Sequence, residues 1–279
     1  MNSIYQEIAR LEQEGREFAV CTVVEVQGSS PAHASFKMIV LPDGTQQGTV
    51  GGGSLEMSVV AAAREVIAEQ KPRMVSFDLN ANGKESLGMV CGGQVKLYIE
   101  YVGSRPQLYV YGSGHVGRSL GLFASVVGFE VTMMDDRPEF ATPARIPEAH
   151  HFLTGDFAEL IQNMSYGSQG YHVILTDKHV SDERVLKAIL ERKLDARYIG
   201  MIGSKAKVLE AFRRLLAAGI SREELARVYT PIGIDHGGQT AEEIALAICT
   251  ELVAARHDRV LADSMKNKVN IMEALERKP

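Results

Sequence analysis

The stretch at 108–137, LYVYGSGHVGRSLGLFASVVGFEVTMMDDR, limits what this chain can fold into more than any other. Its apolar, β-branched and aromatic start, 108–111, predicts a strand. Gly112, Gly114 and Gly117 follow in G-x-G-x-x-G spacing. Val116, Leu120, Phe123 and Val127 recur at helical spacing, and Gly128 stops that helix. Residues 130–134 predict a second strand, ending at Asp135 and Asp136 roughly twenty residues past the glycines. Strand, glycine turn, helix, strand and acid in this order make a Rossmann-type unit. The first glycine allows a tight turn, the second lets a phosphate approach the backbone, and the third lets helix and strand pack closely. The helix start turns its free N–H groups toward an anion. His115 at that start is placed to donate to a ligand. Asp135 either holds a ribose or pterin group or is a solvated strand-end carboxylate.

The same alternation runs on to residue 256. Strands are predicted at 151–153, 171–176, 196–199 and 228–230, with helices between them and after them. Asp156, Ser221 and Thr240 read as N-caps, each with Glu three residues later. The fold class is therefore α/β, with a Rossmann-like, doubly wound parallel sheet in the C-terminal domain. The tail from Arg256 is charged and is expected to fray. Upstream, a helix is predicted over 2–15 and strands over 20–26, 37–41, 46–50, 73–78 and 94–101. A helix starts after Gly51, Gly52, Gly53 and Ser54, on the spacing of Leu55, Val59, Ala62 and Val66. These elements make a smaller N-terminal α/β domain, 1–103, joined through Gly103-Ser104-Arg105-Pro106 to a domain at 104–279.

In an open α/β sheet ligands lie at the carboxyl ends of the strands. The loops placed there are 112–117, 135–137, 176–179, 200–207 and 231–239, all rich in glycine or polar residues. Gly203, Ser204 and Lys205 open a helix as a phosphate site would, and Lys207 follows; the alternative is exposed helix lysines. Gly51, Gly52 and Gly53 leave N–H groups unshielded for an anion or a planar ligand edge, or form a tight turn with nothing bound. Cys91, before Gly92 and Gly93, is either a low-pKa nucleophile and sulfur or metal ligand, or a small buried residue. Cys21 and Cys249 read as packing residues. His179 and His236 fall in crevice loops without an apparent metal partner, and no His–carboxylate pair is visible in the sequence.

The balance of charges removes other classes. Net charge is −5, so no basic field attracts nucleic acid. Three cysteines without CxxC argue against a disulfide framework or a structural zinc site. No apolar stretch reaches membrane-spanning length, and charges interrupt every apolar run in 1–20, so a cytoplasmic location is expected. A homodimer is the expected assembly. An NAD(P)-dependent oxidoreductase is compatible with the glycine turn; its general acid would be His115, His179 or His236.

These motifs together resemble the XdhC/CoxI family, the xanthine dehydrogenase accessory proteins. The matching residues are Gly28-Ser29-Ser30-Pro31, the run GTVGGG at 48–53 with Leu55-Glu56, and Cys91-Gly92-Gly93. In the second half they are Gly112 to Gly117, Asp135-Asp136-Arg137, His179-Val180 with Asp182, the run IGMIGSK at 199–205, and Pro231-Ile232-Gly233. The resemblance implies a protein that binds molybdenum cofactor, as molybdopterin or its dinucleotide form. It further implies that the protein supports sulfuration by a cysteine desulfurase and inserts the cofactor into an apo molybdenum hydroxylase of the xanthine dehydrogenase type, without turnover of its own. This chain departs from the family pattern at Ala32-His33-Ala34-Ser35, at Ser54, where cysteine is common, and at Asp235-His236-Gly237-Gly238. Cys91 is then the thiol left for sulfur handling.

Overall fold

The computed structural model describes residues 3–79, 93–167 and 169–276. The chain divides into two compact units, Met1–Arg105 and Pro106–Pro279.

In the first unit the elements are α1 (Ile4–Gln13), β1 (Phe18–Gly28), β2 (Lys37–Val40), β3 (Gln46–Gly48), α2 (Gly53–Glu69), β4 (Arg73–Asp78) and β5 (Gly93–Val102). They form a five-stranded sheet in the order β3-β2-β1-β5-β4, with every pairing antiparallel. β1 starts with four consecutive buried residues rather than an alternation. The reason is that both of its faces are covered there. Ala19, Cys21 and Val23 pack with Leu55, Val59 and Val66 of α2. Phe18 and Val20 pack with Leu11 of α1. Ser3 and Gln6 close a capping box at the start of α1.

The second unit runs β6 (Gln107–Tyr111), α3 (His115–Val126), β7 (Glu130–Asp135), β8 (His151–Thr154), α4 (Phe157–Asn163), β9 (Gly170–Ile174), α5 (His179–Glu191) and β10 (Ala196–Met201). It continues through α6 (Lys205–Ala217), α7 (Arg222–Ala226), β11 (Val228–Tyr229), α8 (Ala241–Arg256), α9 (Met265–Val269) and α10 (Ile271–Glu276). The sheet order is β11-β10-β9-β6-β7-β8, and all five pairings are parallel. This is the doubly wound order, with its reversal between β6 and β9. The inner strands β6, β7 and β9 are buried almost end to end because both faces are covered. Leu120 of α3 and Ile248 and Leu252 of α8 pack on Val110, Met133 and Val173. On the opposite face, Phe157, Leu186 and Phe212 of α4, α5 and α6 pack on Tyr111, Ile174 and Ile199.

The tail differs from expectation. Residues 265–276 form α9 and α10 instead of fraying, and Ile271 is buried in the α5–α6 core. These helices are five and six residues long, too short to leave a periodic signature, and tertiary contacts hold them. Among the described residues no helix is long and apolar enough to cross a membrane.

Candidate functional site

The glycine turn leaves β6 at its carboxyl end, where the strand order reverses. Its three glycines do different work. Gly112 sits at φ +110°, and a Cβ there would stand 2.2 Å from the Leu175 carbonyl oxygen. A Cβ on Gly117 would stand 2.0 Å from the Gly112 carbonyl oxygen. Both are close approaches of backbone that no side chain tolerates. Gly114 is the opposite case: its Cβ would meet nothing within 4 Å, and its φ of −66° suits any residue. The open space over Gly114 is the cradle, and α3 starts on it as an N-cap without a side-chain cap. The first N–H groups of α3 therefore have no intrahelical or capping partner, and they face the place where an anion would sit. His115, the first helical residue, is exposed and lines a cleft with Arg118, Arg145, Glu148 and Glu242.

Asp135 is not available to a ligand hydroxyl. It is 1% exposed. Its Oδ2 accepts from the Ser113 backbone N–H at 2.7 Å. The Arg137 guanidinium grips both oxygens, Nε to Oδ1 at 2.8 Å and Nη2 to Oδ2 at 3.1 Å. Burial opposes ionisation, but the bonds from Arg137 and Ser113 outweigh it and lower the Asp135 pKa. Arg137 also reaches Asp177 Oδ2 at 3.4 Å and lies over the Phe140 ring at 3.7 Å. Asp135 thus ties the glycine turn to the loop after β7, and Arg137 carries the tie to the loop after β9. The exposed acid at this strand end is Asp136. The DDR run contains the signal: an acid followed two residues later by arginine can be claimed by its own neighbour.

Gly203, Ser204 and Lys205 lie at the end of β10, as the sequence places them. Ser204 is the N-cap of α6, but its side chain accepts no helix N–H. Lys205 and Lys207 are exposed. Lys207 Nζ lies 2.5 Å from His179 Nε2, and His179 Nδ1 lies 3.5 Å from Asp182 Oδ2. A His–carboxylate pair therefore exists here, contrary to the reading of the sequence. It is an i, i+3 pair at the start of α5, visible in the run HVSD once the helix is known to begin at His179. Among the described residues no group of three or more His, Cys, Asp or Glu is placed to hold a metal ion.

The N-terminal glycine loop already holds an anion, and it is the chain's own. Glu56 Oε1 accepts from Gly52 N at 3.0 Å, Val50 N at 3.3 Å and Thr49 Oγ1 at 2.5 Å. An acid in the first turn of a helix is favoured by the helix dipole. Gly51, Gly52 and Gly53 thus form a turn closed by an internal carboxylate, and not an open phosphate seat. Partial burial raises the Glu56 pKa, but the hydrogen bonds from Thr49, Val50 and Gly52 prevail and the net shift is downward. A lowered folded-state pKa contributes stability above the unfolded value, and that contribution is lost as pH falls through the folded value. Glu56→Gln is expected to cost about 1 kcal/mol near neutrality, discounted for a half-buried, screened group. Urea melts of both proteins at about pH 7 and about pH 3 check this. A gap between them that fails to close in acid would rule out the charge-linked role.

Cys91 lies outside the described residues. Of the other thiols, Cys21 is fully buried and burial pushes its pKa up to about 12. Burial pushes Cys249 up to about 11. Neither is a reactive thiolate at neutral pH.

The chain is similar to known proteins. A model of the XdhC Rossmann domain matches residues 108–252, and a model of the XdhC and CoxI family matches residues 11–78. The chain is 30% identical to the uncharacterized protein YqeB of Escherichia coli K12 over 257 residues, 92% of this chain and 47% of that protein. It is 24% identical over 160 residues to a probable xanthine dehydrogenase component of Bacillus subtilis 168, covering 57% of this chain and 46% of that protein. The chain therefore spans about half the length of these two curated relatives. It is 24% identical over 273 residues to the molybdenum cofactor insertion chaperone PaoD of Escherichia coli K12, 87% of this chain and 84% of that protein. Among solved structures it shares the fold of a xanthine dehydrogenase from Bacillus halodurans. There the TM-score is 0.50 at 23% identity, over 95% of this chain and 98% of that one.

Proposed function

The chain belongs to the XdhC and CoxI family, and from that premise we propose that it is a carrier of molybdenum cofactor. On this reading it binds the cofactor, supports sulfuration by a cysteine desulfurase, and inserts the cofactor into an apo molybdenum hydroxylase of the xanthine dehydrogenase type. It does so as a homodimer and without turnover. The observation that carries the reading is the open cradle at Gly114. An uncapped helix start with space above it fits the phosphate of a molybdopterin or of its dinucleotide form. Gly112 and Gly117 shape that turn, and the backbone N–H groups from Gly114 onward would hold the phosphate. His115 would donate from the rim. Gly203, Ser204 and Lys205 would approach from the β10 side. Asp135 would act through Ser113 and Arg137, keeping the turn and the neighbouring loops in register. Gly51, Gly52 and Gly53 keep a structural part in this reading, with Glu56 in their seat. We keep Cys91 as the candidate sulfur or metal ligand. When bound, the cofactor supplies molybdenum to the client enzyme, and this chain's residues bind, orient and release it.

Purified from a molybdenum-replete host, the protein is expected to carry near-stoichiometric molybdopterin and to activate apo-hydroxylase on mixing. Gly114→Val puts a side chain into the cradle at a position where a Cβ meets nothing within 4 Å, so it is expected to stay folded and lose the pterin. Full pterin retention by a folded Gly114→Val protein would sink the assignment of the seat.

A second reading, an NAD(P)-dependent oxidoreductase, has one observation in its favour. The His179–Asp182 pair stands at the end of β9, beside the strand-order reversal. Catalytic oxidation of NAD(P)H with a small carbonyl substrate, abolished in His179→Ala and unaccompanied by pterin transfer, would put this reading first.

A further inference from the structure

We propose that the cavity enclosed by α6, α7, β11 and α10, with Thr230 and Lys266 on its wall, is a binding site for a small monocarboxylate with an apolar body. The cavity is separate from the glycine turn, so its ligand is additional to the cofactor. Three features converge there: a buried hydroxyl left over, a cation without a counter-ion, and apolar walls.

The hydroxyl belongs to Thr230, the first residue after β11. Thr230 is 2% exposed. Its Oγ1 is buried and has no hydrogen-bond partner among the described residues. A buried hydroxyl without a partner is costly.

The cation is Lys266 of α9. Its Nζ donates to the Ala226 carbonyl at 2.9 Å and lies 4.2 Å from the centre of the Tyr229 ring. An ammonium has three donors, so at least one is left for a ligand. Among the described residues no carboxylate forms an ion pair with it. Burial pushes the Lys266 pKa below its ordinary value, and the charge of Glu251 opposes that shift without cancelling it.

Lys266 borders two cavities, and charge decides between them. The one on the α8 side, about 190 Å³, is lined by Glu251. An anion there would meet a carboxylate that Tyr198, Gly233 and Ser264 already satisfy. The other, about 210 Å³, has no acid on its wall among the described residues. Asn270, its remaining polar residue, is spent on α10: Oδ1 accepts from Glu273 N at 3.2 Å, and Nδ2 donates to Glu273 Oε2 at 3.0 Å. The rest of the wall is apolar, with Phe212 of α6, Leu225 of α7, and Ile271 and Met272 of α10. Water in this space would satisfy Thr230 and Lys266 but wet those four side chains. A monocarboxylate answers both ends. One oxygen accepts from the ammonium, the other from the Thr230 hydroxyl, and the body meets the apolar wall. One negative charge matches one ammonium, whereas a phosphate group would bring a second charge without a partner. A cavity of roughly 150 Å³ takes benzene, so this one has room for a ring with its carboxylate.

The test uses the full chain, with benzoate as the probe and benzamide, its uncharged isostere, as the control. Binding is followed by calorimetry and by the methyl resonances of Ile271 and Met272. Benzoate is expected to bind at least about tenfold more tightly than benzamide. It should shift both methyls and leave Ile248, on the opposite face of the sheet, unmoved. Lys266→Met keeps the side-chain length and removes the charge. Its benzoate affinity should fall about tenfold, the loss of a charge-assisted bond, with benzamide unaffected. Thr230→Val keeps the shape and removes the hydroxyl. It should bind benzoate more weakly, and it should melt no lower than its parent, because the hydroxyl has no partner to lose. Circular dichroism verifies that both variants fold, and the comparison of the two probes needs no variant. Equal affinity of the parent for benzoate and benzamide overturns the site, as does equal benzoate affinity in the parent and folded Lys266→Met. No benzoate binding by the parent at about 10 mM overturns it as well. So do shifts that leave Ile271 and Met272 unmoved, which place the anion elsewhere, and a clearly lower melting midpoint of Thr230→Val, which shows the hydroxyl already partnered.

Discussion

Gly117→Ala is expected to destabilise the second unit by about 3 kcal/mol or more, while Gly114→Ala leaves it nearly unchanged. The two residues are three apart in one motif, and a sequence pattern scores them alike. Their surroundings do not. The added methyl of Gly117→Ala would lie 2.0 Å from the Gly112 carbonyl oxygen, roughly half the usual carbon–oxygen contact distance. The obstacle is backbone, so no rotamer change relieves it. Either α3 lifts off β6, exposing Leu120 and Ala124, or the turn opens and the Gly112 N–H bond to Met134 O at 2.8 Å is broken. Overpacking of this kind costs about 3 kcal/mol or more. Gly112→Ala adds a positive φ to a 2.2 Å overlap with Leu175 O, which is no milder. In a unit of this size such a loss lowers the melting midpoint by roughly 6–12 °C. Thermal melts of the three alanine variants decide the matter. A Gly117→Ala protein melting within about 2 °C of its parent would show that α3 does not pack on the turn as described.

This contrast marks how far the sequence could be read. The order strand, glycine turn, helix, strand is a local signal, and β6, α3 and β7 formed where the spacing of Val116, Leu120 and Phe123 put them. The same holds for the caps at Asp156, Ser221 and Thr240, each of which accepts a backbone N–H at its helix start. Side-chain direction was not legible. The sequence assigns Asp135 to a ligand because it stands where the motif needs an acid. Arg137, two residues on, folds back and claims it. Gly51, Gly52 and Gly53 look open for the same reason, and Glu56 turns out to fill them. In both cases a charged neighbour within five residues decides whether an anion or hydroxyl seat is vacant. Nor does a pattern of apolar residues foretell a short element held by one distant carboxylate, and the segment after α8 is of that kind.

That carboxylate is Glu251, and Glu251→Ala is expected to be the costliest single truncation outside the glycine turn. Helix α8 puts Ile248 and Leu252 on the core, and Glu251 lies on the same side, 3% exposed. A buried acid survives there because three donors converge on it. Oε2 accepts from the Tyr198 hydroxyl at 2.6 Å and from Gly233 N at 2.8 Å. Oε1 accepts from the Ser264 hydroxyl. These donors come from β10, from the loop after β11, and from the segment leading into α9. The backbone bonds Asp235 N to Asp263 O and Met265 N to Gly233 O lie alongside. Truncation to alanine leaves buried donors without an acceptor, each worth roughly 1–3 kcal/mol and not additive. A total of about 4 kcal/mol is expected, near the value for breaking a buried charged pair. The midpoint should fall by roughly 8–16 °C. Glu251→Gln keeps one oxygen acceptor and the shape, so it should lose less than half as much. The effect should also be local. With Ser264 released, α9 and α10 lose their tether before the sheet melts, and trypsin should cut at Lys266 under conditions where the parent resists. Equal stability of Glu251→Ala and Glu251→Gln, together with unchanged cleavage at Lys266, would show that apolar packing of Ile271, and not the carboxylate, holds the tail.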